Sequence, residues 1–186
     1  MNARIDDLNA IKAYESLRAG GARSRELADV LDYHKTRVYV TPRILGGLTL
    51  NFINTIFMMP LRADASDCEY KQWVALLAHE ACHVEQRFWV DSVEQETRAY
   101  TAQALVGDEL GIDLGHIKRA FFDLNPARAQ DLVRARAALI TLFAGTPAGI
   151  VYASLPLFQP TGVRALLPAL RESFAVLRAG FSRPRI

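Results

Sequence analysis

The chain has 186 residues, of which 51% are hydrophobic and 23% are charged, so the composition excludes an intrinsically disordered protein. Its formal net charge of +2 gives no electrostatic reason to expect a polyanion, and no nucleic acid is predicted as a partner. The length suits one domain over residues 1–186. We expect it to comprise N-terminal helices (1–36), a central part (38–106) and a helical C-terminal part (107–186).

Cysteine content and the N-terminal stretch indicate the compartment. Two cysteines are too few for a disulfide framework and favour a reducing environment. The first residues, MNARIDDLNAIKAYESLRAG, are charged and amphipathic and lack the apolar centre of a signal peptide. We therefore expect a cytoplasmic protein.

The first predicted elements are two helices and a set of strands. Apolar residues at helical spacing predict helix one, namely Ile5, Leu8, Ile11 and Leu17. The glycines at 20–21 end that helix, and Ser24 is predicted to cap the second helix. Residues 38–40 and 48–59, rich in β-branched and aromatic side chains, predict two or three short strands.

Helical periodicity returns after the strands. Residues 69–90 place an apolar stripe on one face and predict a helix that packs on the core. Ser92, with Gln95 three residues later, is typical of a capping box and predicts a helix over 93–107. Three more helices are predicted: one from the Asp113 cap to Phe121, one from Asn125-Pro126 to Phe143, and one over 163–177.

The longest uncharged stretch, residues 137–163, contains no Asp, Glu, Lys or Arg. One interpretation is a membrane-inserting segment, which would allow peripheral membrane association. Glycines and prolines interrupt the stretch, so a buried helix end followed by a buried loop is favoured.

The residues His79 to His83 read HEACH, an H-E-x-x-H motif. Residues four apart lie on one face of a helix, so both imidazoles can bind the same zinc ion. Glu80 is placed to act as a general base toward a water molecule that the metal activates. Chance supplies roughly 0.004 copies of this motif in a chain of such composition. The alternative is a pair of solvated or hydrogen-bonded histidines on a polar helix face.

A third protein ligand is expected because a catalytic zinc usually has three, plus one open position. Glu94 and Glu96 begin the next predicted helix, and a short turn would bring its first residues toward the histidines. Either carboxylate suits the role. Both also suit a purely structural role, since the helix dipole favours acidic residues in a first turn.

Over residues 38–106 the chain resembles the gluzincin metallopeptidases, especially the small minigluzincin type. The resemblance rests on the strand NTIFMMPLRA, the apolar-leading HEACH helix and a following helix with E-x-x-A, here ETRA. It implies that His79, His83 and Glu96 bind zinc and that Glu80 is the general base.

The same resemblance implies a small antiparallel sheet packed on the motif helix, with Leu50–Met59 as the edge strand that holds the substrate backbone. Two departures from the family pattern affect the site. Only twelve residues separate His83 from Glu96, which leaves Glu94 as a substitute ligand. Tyr100 stands where members often carry an aspartate that orients a zinc histidine, although its hydroxyl can also hydrogen-bond an imidazole.

These observations predict an α+β fold, a mostly helical zincin-like domain with a small antiparallel sheet on the H-E-x-x-H helix. The predicted function is a zinc-dependent metallopeptidase acting on a peptide or protein substrate. Alternatives are a zinc-bearing interaction or regulatory module without proteolysis, and a membrane-associated protease. A helix-turn-helix in residues 24–38 is a weaker interpretation, because residues 38–40 favour a strand. The oligomeric state is not predicted.

Overall fold

The computed structural model describes residues 3–87 and 90–160. In chain order the elements are β1 (Arg4–Ile5), α1 (Leu8–Ala19), α2 (Ala22–Tyr33), β2 (Arg37–Val40), β3 (Gly47–Leu50), β4 (Thr55–Met58), α3 (Asp67–Gln86), α4 (Val93–Glu109), α5 (Gly115–Phe121), α6 (Ala129–Leu142) and α7 (Pro147–Ser154). A short 3-10 helix, Asn51–Ile53, lies between β3 and β4. This content confirms the predicted α+β class, with helices predominating over a small sheet.

The described residues form two compact units. The first comprises 3–87 with 99–118, and the second comprises 90–98 with 119–160. Helix α4 therefore contributes its first residues to the second unit and its remainder to the first.

The sheet of the first unit has the strand order β1-β2-β4-β3. Strands β1, β2 and β4 are parallel, and only β3 runs antiparallel to its neighbour β4. The prediction of an antiparallel sheet is therefore wrong, and the sheet is mixed. The reason is that β2 and β3 are consecutive in the chain but are not neighbours in the sheet. β4 lies between them, parallel to β2 and antiparallel to β3.

The position of the edge strand also differs from the prediction. The run Leu50–Met59 contains the end of β3, the 3-10 helix and all of β4, and β4 is an interior strand. Asn54, with φ of 49°, is in the left-handed region where the chain reverses between the two strands. The outer strand next to β4 in the described sheet is therefore β3, Gly47–Leu50.

Helix α1 begins at Leu8, so it is shorter than the helix predicted from Ile5 onward. Ile5 belongs to β1, and Leu8 is 74% exposed at the start of the helix. Asp7 caps α1 by accepting hydrogen bonds from the backbone N–H groups of residues 9 and 10. The buried face of α1 consists of Ala10, Ala13, Tyr14 and Leu17. The predicted end of the helix at the glycine pair is confirmed.

Helix α2 begins at Ala22, so the prediction of Ser24 as its cap is wrong. Ser24 lies inside the first turn, and its buried hydroxyl donates to the carboxylate of Glu109. That carboxylate also accepts the backbone N–H groups of Arg23 and Ser24, each at 2.9 Å. A distant glutamate thus satisfies N–H groups of the first turn of α2, which local sequence patterns do not reveal.

Helix α3 confirms the predicted motif helix, although it covers Asp67–Gln86 rather than 69–90. Ser66 and Glu69 form a reciprocal capping box at its start. Arg87, with φ of 53°, ends it in the left-handed region. Contacts with α1, α2 and β3 bury the apolar face of α3, including Trp73, Val74, Leu77, Ala81 and Val84.

The second unit contains the start of α4 and the pair α6 and α7. Ser92 caps α4 as predicted, since its hydroxyl oxygen accepts the backbone N–H of Gln95 at 3.3 Å. Helix α6 begins at Ala129, not at Pro126 as predicted, because the side chain of Asn125 accepts the N–H of Ala127 and forms a turn first. Helix α7 follows, capped by Thr146, and was not predicted.

The remaining expectations concern the C-terminal third and the helix-turn-helix. The uncharged stretch 137–163 supplies the end of α6 and all of α7, and none of the described helices is both long and apolar enough to cross a lipid bilayer. The helix predicted over 163–177 lies outside the described residues. Strand β2 follows α2 directly, so residues 24–38 do not form a helix-turn-helix.

Candidate metal centre

The H-E-x-x-H motif lies in the C-terminal half of α3. His79, Glu80 and His83 are each only 4% exposed. One alternative from the sequence placed both histidines on a polar, solvated face of the helix, but this face of α3 is buried as well. The interpretation as solvated surface histidines is therefore wrong.

The two imidazoles face each other across one helical turn. Their Nε2 atoms lie 3.1 Å apart, and the ring planes are inclined at 76°. Two nitrogens bound to one tetrahedral zinc, each at about 2.0–2.1 Å from the ion, lie about 3.3 Å apart. The observed separation fits that spacing. It also fits a direct hydrogen bond between the rings, which is the alternative without metal.

Glu96, on the first turn of α4, completes the group. One ligand atom from each of His79, His83 and Glu96 lies within 4.8 Å of the others, and all three residues are buried. Two imidazoles and a carboxylate are the protein ligands of one class of catalytic zinc sites. The chemistry of these donors therefore fits zinc.

Glu94, the alternative third ligand, has other partners. Its Oε1 accepts a hydrogen bond from Arg98 at 3.0 Å, in an i,i+4 ion pair. Its Oε2 accepts the backbone N–H of Gln159 at 3.3 Å. Of the two glutamates that the sequence left open, the described structure brings Glu96 and not Glu94 into the group.

Tyr100 packs against the first histidine. Its ring lies edge-on to the imidazole of His79, with 4.4 Å between ring centroids and an interplanar angle of 69°. Tyr100 is buried one turn after Glu96 on α4. This ring contact restricts the rotation of the His79 imidazole. The hydrogen bond suggested between the Tyr100 hydroxyl and an imidazole stays a prediction.

Glu80 points toward β3 rather than toward solvent. Its Oε2 accepts a hydrogen bond from the hydroxyl of Thr49 at 2.7 Å. A Cβ built on Gly47 would lie only 2.4 Å from Oε1, so the strand backbone closely approaches the carboxylate. Asn51 donates a hydrogen bond to the backbone carbonyl of His83 at 3.0 Å. The segment 47–51 is thus attached to α3 alongside the motif.

Sequence analysis missed these three residues as parts of the site. In GLTLN the residues Gly47, Thr49 and Asn51 alternate with Leu48 and Leu50. Strand alternation places small and polar residues on one face, where a core-facing strand normally carries apolar ones. That alternation was the available signal that this face meets a polar site.

Cys82, inside the motif, does not join the group among the described residues. Burial raises the pKa of its thiol to about 11, so the sulfur remains protonated at neutral pH. Its Sγ contacts the side chains of Arg23 at 3.7 Å and Gln86 at 3.3 Å instead.

The arrangement offers two chemical capabilities, binding of a divalent metal and proton transfer by a carboxylate next to it. The metal group consists of His79, His83 and Glu96. Glu80 directly follows His79 in the chain. No protein-family model, curated protein or solved structure matches this chain.

Proposed function

We propose that this protein is a zinc-dependent metallopeptidase. His79, His83 and Glu96 would hold the zinc ion, and Glu80 would act as the general base. The observation that carries the proposal is the pair of facing Nε2 atoms, 3.1 Å apart, grouped with a buried carboxylate on the next helix.

The choice of zinc follows from the donors. Calcium and magnesium prefer sets made only of oxygen ligands, whereas two imidazoles with one carboxylate suit zinc. A divalent cation would also offset the cost of burying carboxylates, and both Glu80 and Glu96 are buried. Helix α3 supports such a site because its i,i+4 geometry directs both imidazoles to the same point.

The catalytic proposal assigns proton transfer to Glu80. When bound, zinc supplies Lewis-acid chemistry, acidifying a water molecule and polarising a carbonyl oxygen. The Glu80 carboxylate accepts a proton from the attacking water as the new C–O bond forms. It then delivers that proton to the amine nitrogen as the C–N bond breaks, so that an acid and an amine result.

The proposed substrate is an extended peptide. β3 is one of the two outer strands of the described sheet and pairs on only one side, with β4. The backbone groups on the other side of an outer strand can pair with a peptide by strand addition. Thr49 on β3 contacts Glu80, so a peptide beside β3 would lie near the proposed base.

A second candidate is a zinc-bearing interaction module without proteolytic activity. The observation that favours it is the burial of His79, Glu80 and His83, each 4% exposed. Structural zinc sites are closed, whereas catalytic sites keep one position open. In this case zinc would stabilise the fold, and Glu80 would be a structural acceptor for Thr49.

Hydrolysis of a mixture of quenched fluorescent peptides by the zinc-loaded protein separates the two candidates. The peptidase proposal predicts hydrolysis that Glu80→Gln reduces by about 100-fold or more while the zinc content stays unchanged. Glu85→Gln is the matched control, because Glu85 lies on the same helix and pairs with Arg23. Equal hydrolysis by wild type and Glu80→Gln would contradict the role of Glu80. Stoichiometric zinc without hydrolysis would favour the interaction module.

A further inference from the structure

We propose that Thr49 is a positioning residue for Glu80, an inference that rests on the proposed peptidase function. Thr49 lies on β3, 31 residues before the glutamate in the chain. Its hydroxyl holds one oxygen of the carboxylate and leaves the other to receive the proton.

The first observation is the hydrogen bond itself. The Thr49 hydroxyl oxygen lies 2.7 Å from Oε2 of Glu80 and 3.1 Å from the backbone carbonyl oxygen of the same residue. A hydroxyl has one hydrogen, so it can donate to only one of these two oxygens. The carboxylate oxygen is closer and charged, and it is therefore the stronger acceptor. Thr49 therefore holds the side chain of Glu80.

The second observation is the close approach of Gly47. The carboxylate lies between the Thr49 hydroxyl at Oε2 and the backbone of Gly47 at Oε1. A Cβ on Gly47 would lie 2.4 Å from Oε1 and 2.7 Å from Cδ, so the Glu80 side chain would have to shift to accommodate it. The strand thus restricts the carboxylate from two directions.

The third observation is that β3 itself is fixed relative to α3. Thr49 pairs with Ile56 in the antiparallel ladder, which sets its position along the sheet. Asn51, two residues further, donates to the carbonyl of His83 at 3.0 Å and is buried. The Thr49 hydroxyl is therefore presented by a backbone attached both to β4 and to the motif helix.

These contacts matter for catalysis because a general base must stay within hydrogen-bonding distance of the proton that it accepts. Displacing a catalytic group by about 1 Å can reduce a rate by about 100-fold. A hydroxyl that donates to Oε2 leaves the lone pairs of Oε1 for the proton. In this account the Thr49 side chain contacts neither the metal group nor the substrate, and it acts through Glu80.

The kinetic test compares Thr49→Val, Thr49→Ser and Thr55→Val in the zinc-loaded protein. We expect Thr49→Val to lower kcat by about tenfold or more, with KM within about twofold and zinc content unchanged. Thr49→Ser keeps the hydroxyl and restores kcat to within about threefold of wild type. Thr55→Val is the matched control, because Thr55 is a buried threonine on the neighbouring strand whose hydroxyl donates to Ile53.

A second test needs no activity and uses the zinc-free protein. Urea unfolding of Thr49→Val, Glu80→Ala and the double variant forms a double-mutant cycle. The inference predicts non-additivity, with the double variant less destabilised than the sum of the single variants. Gly47→Ala should lower kcat by displacing the carboxylate.

The outcomes separate this inference from the proposed function. An active wild type whose kcat is unchanged in Thr49→Val would overturn the positioning role and leave the peptidase proposal intact. Additive unfolding energies in the cycle would overturn the role as well. A wild type that binds zinc but hydrolyses no peptide would overturn the peptidase function, and with it the catalytic role of Thr49, whatever the cycle gives.

Discussion

His79 and His83 face each other on α3 with their Nε2 atoms 3.1 Å apart. This relationship depends on an intact helix, because only the i,i+4 geometry brings the two rings together. The capping box at Ser66 and the buried apolar face of α3 hold that helix in place. The packing of α3 and the arrangement of the metal group are therefore linked.

Leu77→Ala tests the contribution of this packing to stability. Leu77 is fully buried two residues before His79, and its truncation should lower the free energy of unfolding by about 2–5 kcal/mol. The measurement is urea unfolding of the zinc-free protein. Leu8→Ala is the control, since Leu8 is largely exposed and should change the value by about 0.5 kcal/mol or less. Equal effects of the two variants would contradict the described core.

Thiol labelling tests the environment of the motif helix. Cys82 is 2% exposed, and burial raises its pKa to about 11, whereas Cys68 is exposed on the first turn of α3. At pH 8 about one Cys82 thiol in a thousand would be ionised. We therefore expect iodoacetamide to modify one thiol per folded chain, and none in Cys68→Ser. Rapid labelling of Cys68→Ser without denaturant would show that Cys82 is accessible.

The stability of the first unit should fall at high pH because of Tyr14. Desolvation, together with the hydrogen bond that it donates to Asp32 at 2.6 Å, raises the pKa of Tyr14 to about 12. An unfolded tyrosine ionises near pH 10, at about its ordinary pKa. Below about pH 10 the full contribution of Tyr14 to the free energy of unfolding is present. This contribution is lost as the pH rises toward about 12, because the tyrosine loses its proton at a lower pH in the unfolded state than in the folded state.

The measurement for Tyr14 is the free energy of unfolding of wild type and Tyr14→Phe across that pH range. Phenylalanine does not ionise, so the stability of the variant should depend less steeply on pH. The advantage of wild type over the variant should therefore shrink between about pH 10 and about pH 12. A constant difference would contradict the raised pKa.

Local patterns were sufficient to predict much of the site's framework. The spacing of HEACH on an apolar-periodic stretch predicted helix α3, and Ser92 with Gln95 predicted the start of α4. Such signals act within one or two helical turns, so they do not depend on the rest of the fold. The α+β class followed from the same local reasoning.

The choice between Glu94 and Glu96 could not be made in this way. Residues two apart on a helix point in directions about 160° apart, so only one of them can face the histidines. Which one does so depends on the rotation of α4, and long-range packing sets that rotation. Glu96 joins His79 and His83, while Glu94 binds Arg98.

Local sequence patterns also could not predict the directions of the strands or the contact between β3 and Glu80. Whether β4 pairs with β2 or lies at the edge depends on contacts between segments distant in the chain, and these made the sheet mixed. Thr49 binds Glu80 only because β3 packs against the motif helix. The alternation in 47–51 signalled a polar face, but it did not indicate which side chain that face would meet.

The most direct test of the metal site is the zinc content per chain by elemental analysis. The protein would be loaded with zinc, dialysed, and compared with His83→Ala, Glu96→Ala and the control Glu94→Ala. We predict about one zinc per chain in wild type and Glu94→Ala, and a near-complete loss in the other two, because a site of three protein ligands loses one in each. Absence of zinc from well-folded wild type would contradict the metal centre. Retention in Glu96→Ala with loss in Glu94→Ala would contradict the assignment of the third ligand.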